Sequence, residues 1–358
     1  MYKTAIQIYE ERTPEDALLK IHGETQVTLT NIAPYEACAK GNMVFAIDQK
    51  TLDQALANGA SLIIIPQELP LPDFSKHKDL AIISSANIGV SHARLKQKYA
   101  GHDYSLTGWE MIHPSAIIHE DVPLPSNIRI GPNVVIEKGV RIGNNCVLMA
   151  NVVLQHGAVL GHNTIIHAGT IIGRDCEIGN DCIIQSNTVI GGEGFGFAQD
   201  QHFNHHHIPH TGKVVIGDKV HVGCNCTFDR GTYMATTIGN GCIFDNQCHV
   251  GHNVQIGVNC IIVAGFYCGG SSTLGNRVVV SGGAMIKDHV TICDGAFLVH
   301  RAGVIKDIKT PGIYAGAPVL PMKNYLKSNA VYRDLGDLRK MVLDLKKELK
   351  MLKENAEG

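Results

Sequence analysis

Ile130-Gly131-Pro132-Asn133-Val134-Val135-Ile136-Glu137-Lys138-Gly139-Val140-Arg141-Ile142-Gly143-Asn144-Asn145-Cys146-Val147-Leu148 places an aliphatic side chain at every sixth position. The phase continues through Leu154, Leu160, Ile166, Ile172, Ile178, Ile184 and Ile190. It returns at Ile216, Val222 and Phe228, steps over a short insertion to Ile238, and runs on through Phe244, Val250, Ile256, Ile262, Cys268, Leu274, Val280, Ile286, Ile292 and Leu298 to Val304. Neither a 3.6-residue helical period nor two-residue alternation produces this spacing. It fits a chain that runs straight briefly, turns and repeats.

A second slot, four residues after each aliphatic, holds small side chains: Val134, Val140, Val152, Ala158, Thr164, Thr170 and Thr188. Cys146, Cys176, Cys182, Cys226, Cys242, Cys248 and Cys260 occupy the same slot, so they read as small inward-packing residues. The chain has 11 Cys, no matched pair of CxxC motifs and an N-terminus charged too early for an export signal. Reduced thiols in the cytosol are therefore expected, with no disulfide or metal. The residue after the aliphatic is often Gly followed by Asn or Asp, as in Gly143-Asn144 and Gly179-Asn180. Such pairs suggest turns with positive φ. Together the two slots predict a parallel β-helix of hexapeptide repeats, about eighteen residues per triangular coil, with coils stacked about 4.8 Å apart.

Three domains are expected: a small α/β domain over 1–108, the β-helix over 109–318 and a helical extension over 319–358. In the first, Ser61-Leu62-Ile63-Ile64-Ile65 and Leu80-Ala81-Ile82-Ile83 read as buried strands, and 51–58 and 91–99 as short helices. At the other end Val331, Leu335, Leu338, Val342, Leu345, Leu349 and Leu352 form a heptad seam that argues for helix association between subunits. Lys340, Lys346, Lys347, Lys350 and Lys353 make the outer face basic, either as plain solvated surface or as a dock for an acidic partner. Over 358 residues the net charge is only -2, which gives no basis for nucleic-acid binding. No apolar run of about 18 residues is present, so no membrane span is expected.

Chemistry on such a scaffold belongs where the repeat breaks or polar residues gather beside it. His252 lies two places after an inward aliphatic, outside the packed core. Asp245, on the preceding hexad, is a carboxylate able to orient an imidazole. One coil on, Gly270 beside Gly269 leaves a gap and an exposed backbone N–H; two coils on lie Lys287, Asp288 and His289. A base, a gap with a donor and a second histidine along one edge suit acyl transfer to an amine or hydroxyl. The plain alternative is surface decoration. Gly191-Gly192-Glu193-Gly194-Phe195-Gly196-Phe197 interrupts the repeat until Val214. Its glycines let backbone approach a ligand or simply make an excursion loop, and no helix pattern follows that would make it a dinucleotide fingerprint. His202, His205, His206, His207 and His210 cluster in the same interruption, weak grounds for a metal site.

The stretches Gly192-Glu193-Gly194-Phe195-Gly196-Phe197, Thr227-Phe228-Asp229-Arg230-Gly231, Asp245-Asn246-Gln247 through Gly251-His252-Asn253, and Pro311-Gly312-Ile313-Tyr314 carry a resemblance. Over nearly its whole length the chain resembles the UDP-3-O-(3-hydroxyacyl)glucosamine N-acyltransferases of lipid A biosynthesis in Gram-negative bacteria. The resemblance implies a left-handed β-helix and a cytoplasmic homotrimer with sites between subunits. The implied donor is an (R)-3-hydroxyacyl chain on the phosphopantetheine of acyl carrier protein, and the acceptor the 2-amino group of the UDP-linked 3-O-acylglucosamine. The enzyme would need no cofactor of its own. His252 falls on the family's general base, Asp245 on its partner, Gly270 on the oxyanion-hole amide and His289 on a histidine near the thioester. Phe45 matches the aromatic contact to uracil, and Asp48 and Asn246 are carried over as further substrate contacts. The segment following Phe45 reads Asp48-Gln49-Lys50-Thr51, without the family's Tyr. The basic C-terminal helices suit docking of the acidic carrier protein. Two other readings remain open: another β-helix acyl- or acetyltransferase acting on a nucleotide sugar, and a non-catalytic β-helical scaffold.

Overall fold

The computed structural model describes residues 2–104, 106–316 and 321–356, with side chains to 353. The chain divides into two compact units, one ending at Leu106 and the other starting at Thr107. The expected boundary at 318/319 lies outside the described residues.

In the first unit a five-stranded sheet runs in the order Leu18–Gly23, Ala81–Ser85, Leu62–Pro66, Asn42–Phe45, Asn31–Ile32. Only the Leu18–Gly23 pairing is antiparallel. Helices α1 (Ala5–Glu10) and α3 (Ile88–Ala100) pack one face and α2 (Gln49–Ala57) the other. Leu62 and Ile64 join Ala5, Ile8 and Leu95 in one core, while Ile63 and Ile65 meet Leu52 and Ala55 in the other. The strand is uninterruptedly apolar because both its faces are buried. The helices begin two or three residues earlier than expected, at caps provided by Asp48 and Asn87.

The second unit is a left-handed parallel β-helix. Its three sheets hold 10, 8 and 10 strands, most of two residues, the second of which points inward. Partners are 18 residues apart in regular coils, as for Asn133 and Asn151. The spacing widens to 38 across the excursion that follows Ile190, and to 22 across the insertion at 231–234. Strand register survives both: Ile190 pairs with Phe228, and Phe228 with Val250. Ile136, Leu154, Ile172, Ile190, Phe228 and Val250 thus form one inward stack, each at most 1% exposed. Each such side chain contributes about 1.5–3 kcal/mol relative to exposure.

The small slot has a second purpose. Thr164 Oγ1 donates to the Gly179 carbonyl at 2.9 Å, Cys146 Sγ to Gly161 at 3.0 Å and Ser272 Oγ to Lys287 at 2.8 Å. A short donor here satisfies a turn carbonyl of the next coil that the ladder leaves open. The turns correct one expectation. Positive φ falls on the third residue after the aliphatic, Asn145 (60°), Asp181 (55°) or Asn253 (61°), and not on the Gly-Asn pair before it. The glycine is needed for proximity instead. A Cβ at Gly161 would lie 2.5 Å from the Gly179 carbonyl carbon one coil on.

At the C-terminal end, α4 (Met322–Arg333) stops at Asp334 and α5 (Leu335–Ala356) begins. The expected seam is therefore not one helix: Val331 lies on α4 and the remaining seam residues on α5. In the single chain Leu335, Leu338, Val342, Leu345, Leu349 and Leu352 are all exposed. Among the described residues no helix is long and apolar enough to cross a membrane.

Candidate active site

His252 follows the strand His249–Val250, at the corner where the chain turns toward Gln255–Ile256. Its Nδ1 lies 2.9 Å from Asn253 Oδ1, which also accepts from Thr232 N–H at 3.2 Å and Thr232 Oγ1 at 2.9 Å. An oxygen that gathers donors requires hydrogen on His252 Nδ1, which leaves Nε2 with the lone pair. Positive φ at Asn253 turns its carboxamide back onto the ring. The orienting group within the chain is thus Asn253 and not Asp245. Asp245 sits at the preceding corner of the same coil, before the strand His249–Val250, exposed, its carboxylate accepting from the backbone N–H of Asn246 (2.7 Å) and Ala264 (3.3 Å).

Gly270 lies one coil above. A Cβ there would come within 2.6 Å of His252 Nε2, so the imidazole occupies the space a side chain would fill. At some other corners the N–H at this position of the hexad is capped by a side chain of the next coil: His162 N–H by Asn180, Val258 N–H by Asn276, Cys224 N–H by Asn246. The Gly270 N–H has no acceptor among the described residues. Beside the base there is therefore a free backbone donor. Asn246 spends its amide oxygen on the Cys224 cap at 2.7 Å. His289 is exposed, with φ of 55°, and its N–H donates to the Gly270 carbonyl, which fixes the Gly270–Ser271 peptide.

The excursion after Ile190 folds back onto this corner, so the glycine-rich and histidine-rich stretches belong to one site. His210 packs edge-on against His252, ring centroids 5.0 Å apart. Gly194 wedges between them, where a Cβ would lie 2.8 Å from His252 Cβ. Buried Arg230 ties the excursion down. Its guanidinium donates to the carbonyls of Gly191 (2.9 Å), Gly212 (3.0 Å) and Arg174 (3.1 Å), catching both ends of the loop. Beside it, burial pushes the Asp229 carboxyl up to about 7, with His252 pulling the other way. The motif Asp229-Arg230 was visible in the sequence, but only the fold-back reveals what it holds. Among the described residues no group of three or more His, Cys, Asp or Glu is placed to hold a metal ion.

The first unit has its own cleft, about 520 Å³, lined by Tyr35, Phe45, Ile47, Ile88, His92 and Lys96 among others. Phe45 stacks on His92 with centroids 4.3 Å apart. Asp48 does not line it. Its carboxylate caps α2, accepting from Thr51 N–H at 2.8 Å, while Thr51 Oγ1 accepts in return from Asp48 N–H at 3.1 Å. That capping box explains the Asp-Gln-Lys-Thr segment as helix start. His92, on the next helix, could not be connected with Phe45 from the sequence.

A hexapeptide prism with an oriented imidazole beside a glycine whose backbone N–H is uncapped fits an acyl-transfer class of protein. A family model described as the GMPPB C-terminal domain matches residues 106–208, the first coils. The UDP-3-O-acylglucosamine N-acyltransferase of Methylococcus capsulatus is 43% identical over 352 residues, 98% of this chain and 99% of that one. The chain belongs to the UDP-3-O-acylglucosamine N-acyltransferase family. Among solved structures, an Arabidopsis UDP-N-acetylglucosamine acyltransferase aligns with a TM-score of 0.51 at 21% identity, covering 57% of this chain and 71% of that one; it speaks to the fold alone.

Proposed function

We infer that this protein transfers an (R)-3-hydroxyacyl chain from acyl carrier protein to the 2-amino group of UDP-3-O-(3-hydroxyacyl)glucosamine, in the cytoplasm, as a step of lipid A biosynthesis. Family membership supports the reaction. The observation that carries the mechanism is His252 Nε2, freed as a lone pair by Asn253 and lying in the space left by the missing side chain of Gly270, whose N–H is uncapped. The neutral amine attacks the thioester carbon as His252 Nε2 takes its proton. The Gly270 N–H donates to the oxygen that gains negative charge. The C–S bond then breaks, His252 returns the proton to the leaving sulfur, and amide and thiol result. No cofactor beyond the carrier's phosphopantetheine takes part, and His289 stands beside the thioester.

The working form is a homotrimer. Asp245 and His252 occupy different corners of one coil, so this carboxylate meets an imidazole across a subunit boundary. Outward apolar residues support that association: Ile243, Ile261 and Phe297 on one face, Tyr267 and Met285 on the next, each at least 36% exposed in the single chain. The Phe45 cleft takes the uracil, and Asn246 offers its free NH₂ group to the substrate. The basic face of α5 receives the acidic carrier protein. Replacing His252 by Ala should lower turnover at least a thousandfold, about what removal of a general base and its charge stabilisation costs, with the thermal transition retained. Near-normal activity in that variant removes the assignment. Transfer from acetyl-CoA in place of acyl carrier protein would favour the acetyltransferase reading.

A further inference from the structure

The excursion delivers into the site a side chain with no task in the mechanism above. His210 is 1% exposed. Its Nδ1 lies 3.0 Å from the Ile208 carbonyl, which only accepts, so Nδ1 bears hydrogen and Nε2 a lone pair. Nε2 is buried and has no hydrogen-bond partner among the described residues. Leaving a buried polar atom unpaired is costly, and few native groups are left so. The surroundings are built around this ring. The His210 N–H donates to Glu193 Oε2 at 3.0 Å, and its carbonyl accepts from Arg174 at 3.0 Å. Gly194 and Gly196 make room, since Cβ atoms there would lie 2.7 Å from Nε2 and 2.5 Å from Cε1. The space that a Gly194 side chain would fill borders both His210 Nε2 and His252 Cβ, which puts the Nε2 edge on the His252 side of the ring.

We propose that His210 is a positioning residue for the transfer reaction, its ring holding His252 in place and stabilising the imidazolium that His252 becomes on taking the amine proton. The Nδ1–H is anchored on a carbonyl, with the Glu193 carboxylate 3.8 Å behind it. The electron-rich edge therefore lies on the side of the ring that becomes charged, and because His210 itself is buried its fixed dipole acts strongly. The other charged or titratable groups around this corner are Asp229 and His249 on adjoining strands, Glu193, His207 and Arg174 about the excursion, and Lys287, Asp288 and His289 two coils on. Among the described residues His210 is the one aromatic ring packed against His252, edge-on.

This role rests on His252 being the base. The test compares His210→Phe, which keeps a flat ring without the lone pair, with His210→Gln, which restores an acceptor. In the Phe variant kcat should fall about tenfold, KM for the nucleotide sugar should stay within about twofold, and the acid limb of the kcat/KM–pH profile should move to lower pH. The Gln variant should recover most of both. NMR titration of the His252 ring, assigned by its loss in His252→Ala, should shift the same way without reference to turnover. An unmoved limb and titration midpoint in the Phe variant, or Phe and Gln variants that behave alike, overturn the role of His210. If the Phe variant does not fold, His210→Leu carries the same readouts. Turnover surviving in His252→Ala would instead overturn the base, which separates the two failures.

Discussion

Gly270 and His252 share one space, and that fixes what a methyl group would do. Gly270 does not have positive φ, so Ala fits its backbone, but the new Cβ would sit 2.6 Å from Nε2 and 2.7 Å from Cε1. The ring must swing off Asn253. Gly270→Ala should lose about a hundredfold in kcat, the scale of a misplacement near 1 Å, with an unchanged melting curve. Normal turnover would show that the ring is not needed where it lies. Asp229 makes a prediction in pH. Burial raises its carboxyl from 3.8 to about 7, so the folded protein binds a proton that the unfolded chain has released between those values. Stability from this group is present below about pH 4 and lost as pH rises through 7. Asp229→Asn should therefore raise the urea midpoint at pH 8, by at most about 4 kcal/mol in unfolding free energy, and the gain should vanish at pH 4. A pH-independent difference would refute the buried-carboxyl account. His252 over Gly270 was legible because a constant coil length turns residue counting into spatial register. Asn253 was not: a left-handed Asn at that position recurs along the prism, and only the fold shows which one has an imidazole beside it.

The excursion after Ile190 shows the limit of that counting at the level of elements. The period says where the loop leaves and rejoins the prism, since the phase resumes at Ile216. It says nothing of the path between, so Gly192–Phe197 and His202–His210 read as two candidates. Arg230 decides the path by gathering the carbonyls of Gly191, Gly212 and Arg174. Each charge-assisted bond contributes about 1.5–3 kcal/mol, and Arg230→Met leaves all three acceptors without that donor. The excursion should then open locally while the coils stay folded. Chymotrypsin cleavage after Phe195, Phe197 and Phe203, all exposed, should accelerate at least tenfold, as about 1.4 kcal/mol of easier opening requires. Digestion at the parent rate would mean that Gly194 and His210 hold the loop without Arg230. The C-terminal seam misled in a related way. Heptad spacing reads straight through Asp334, because a helix break need not disturb the period of the apolar residues.

For the molecule as a whole, the coils settle which residues one chain can bring together, and they keep Asp245 from His252. Both corners flank the strand His249–Val250, and each coil repeats this arrangement without bringing the corners closer. A trimer made of such prisms would complete each site with His252 from one chain and Asp245 from its neighbour. The consequence can be read without a structure of the assembly. His252→Ala and Asp245→Ala should each be nearly inactive alone. Unfolded together and refolded at equal ratio, they should regain about a quarter of parental activity, because random assortment pairs an intact His252 with an intact Asp245 at about one interface in four. Mixing the folded trimers without unfolding should restore nothing. Activity that stays absent after co-refolding, with mixed trimers verified by mass, would place the two residues in one chain's site or remove Asp245 from the reaction. The sequence could supply the corner residues and the apolar outward faces, but which faces meet depends on the geometry of a second copy.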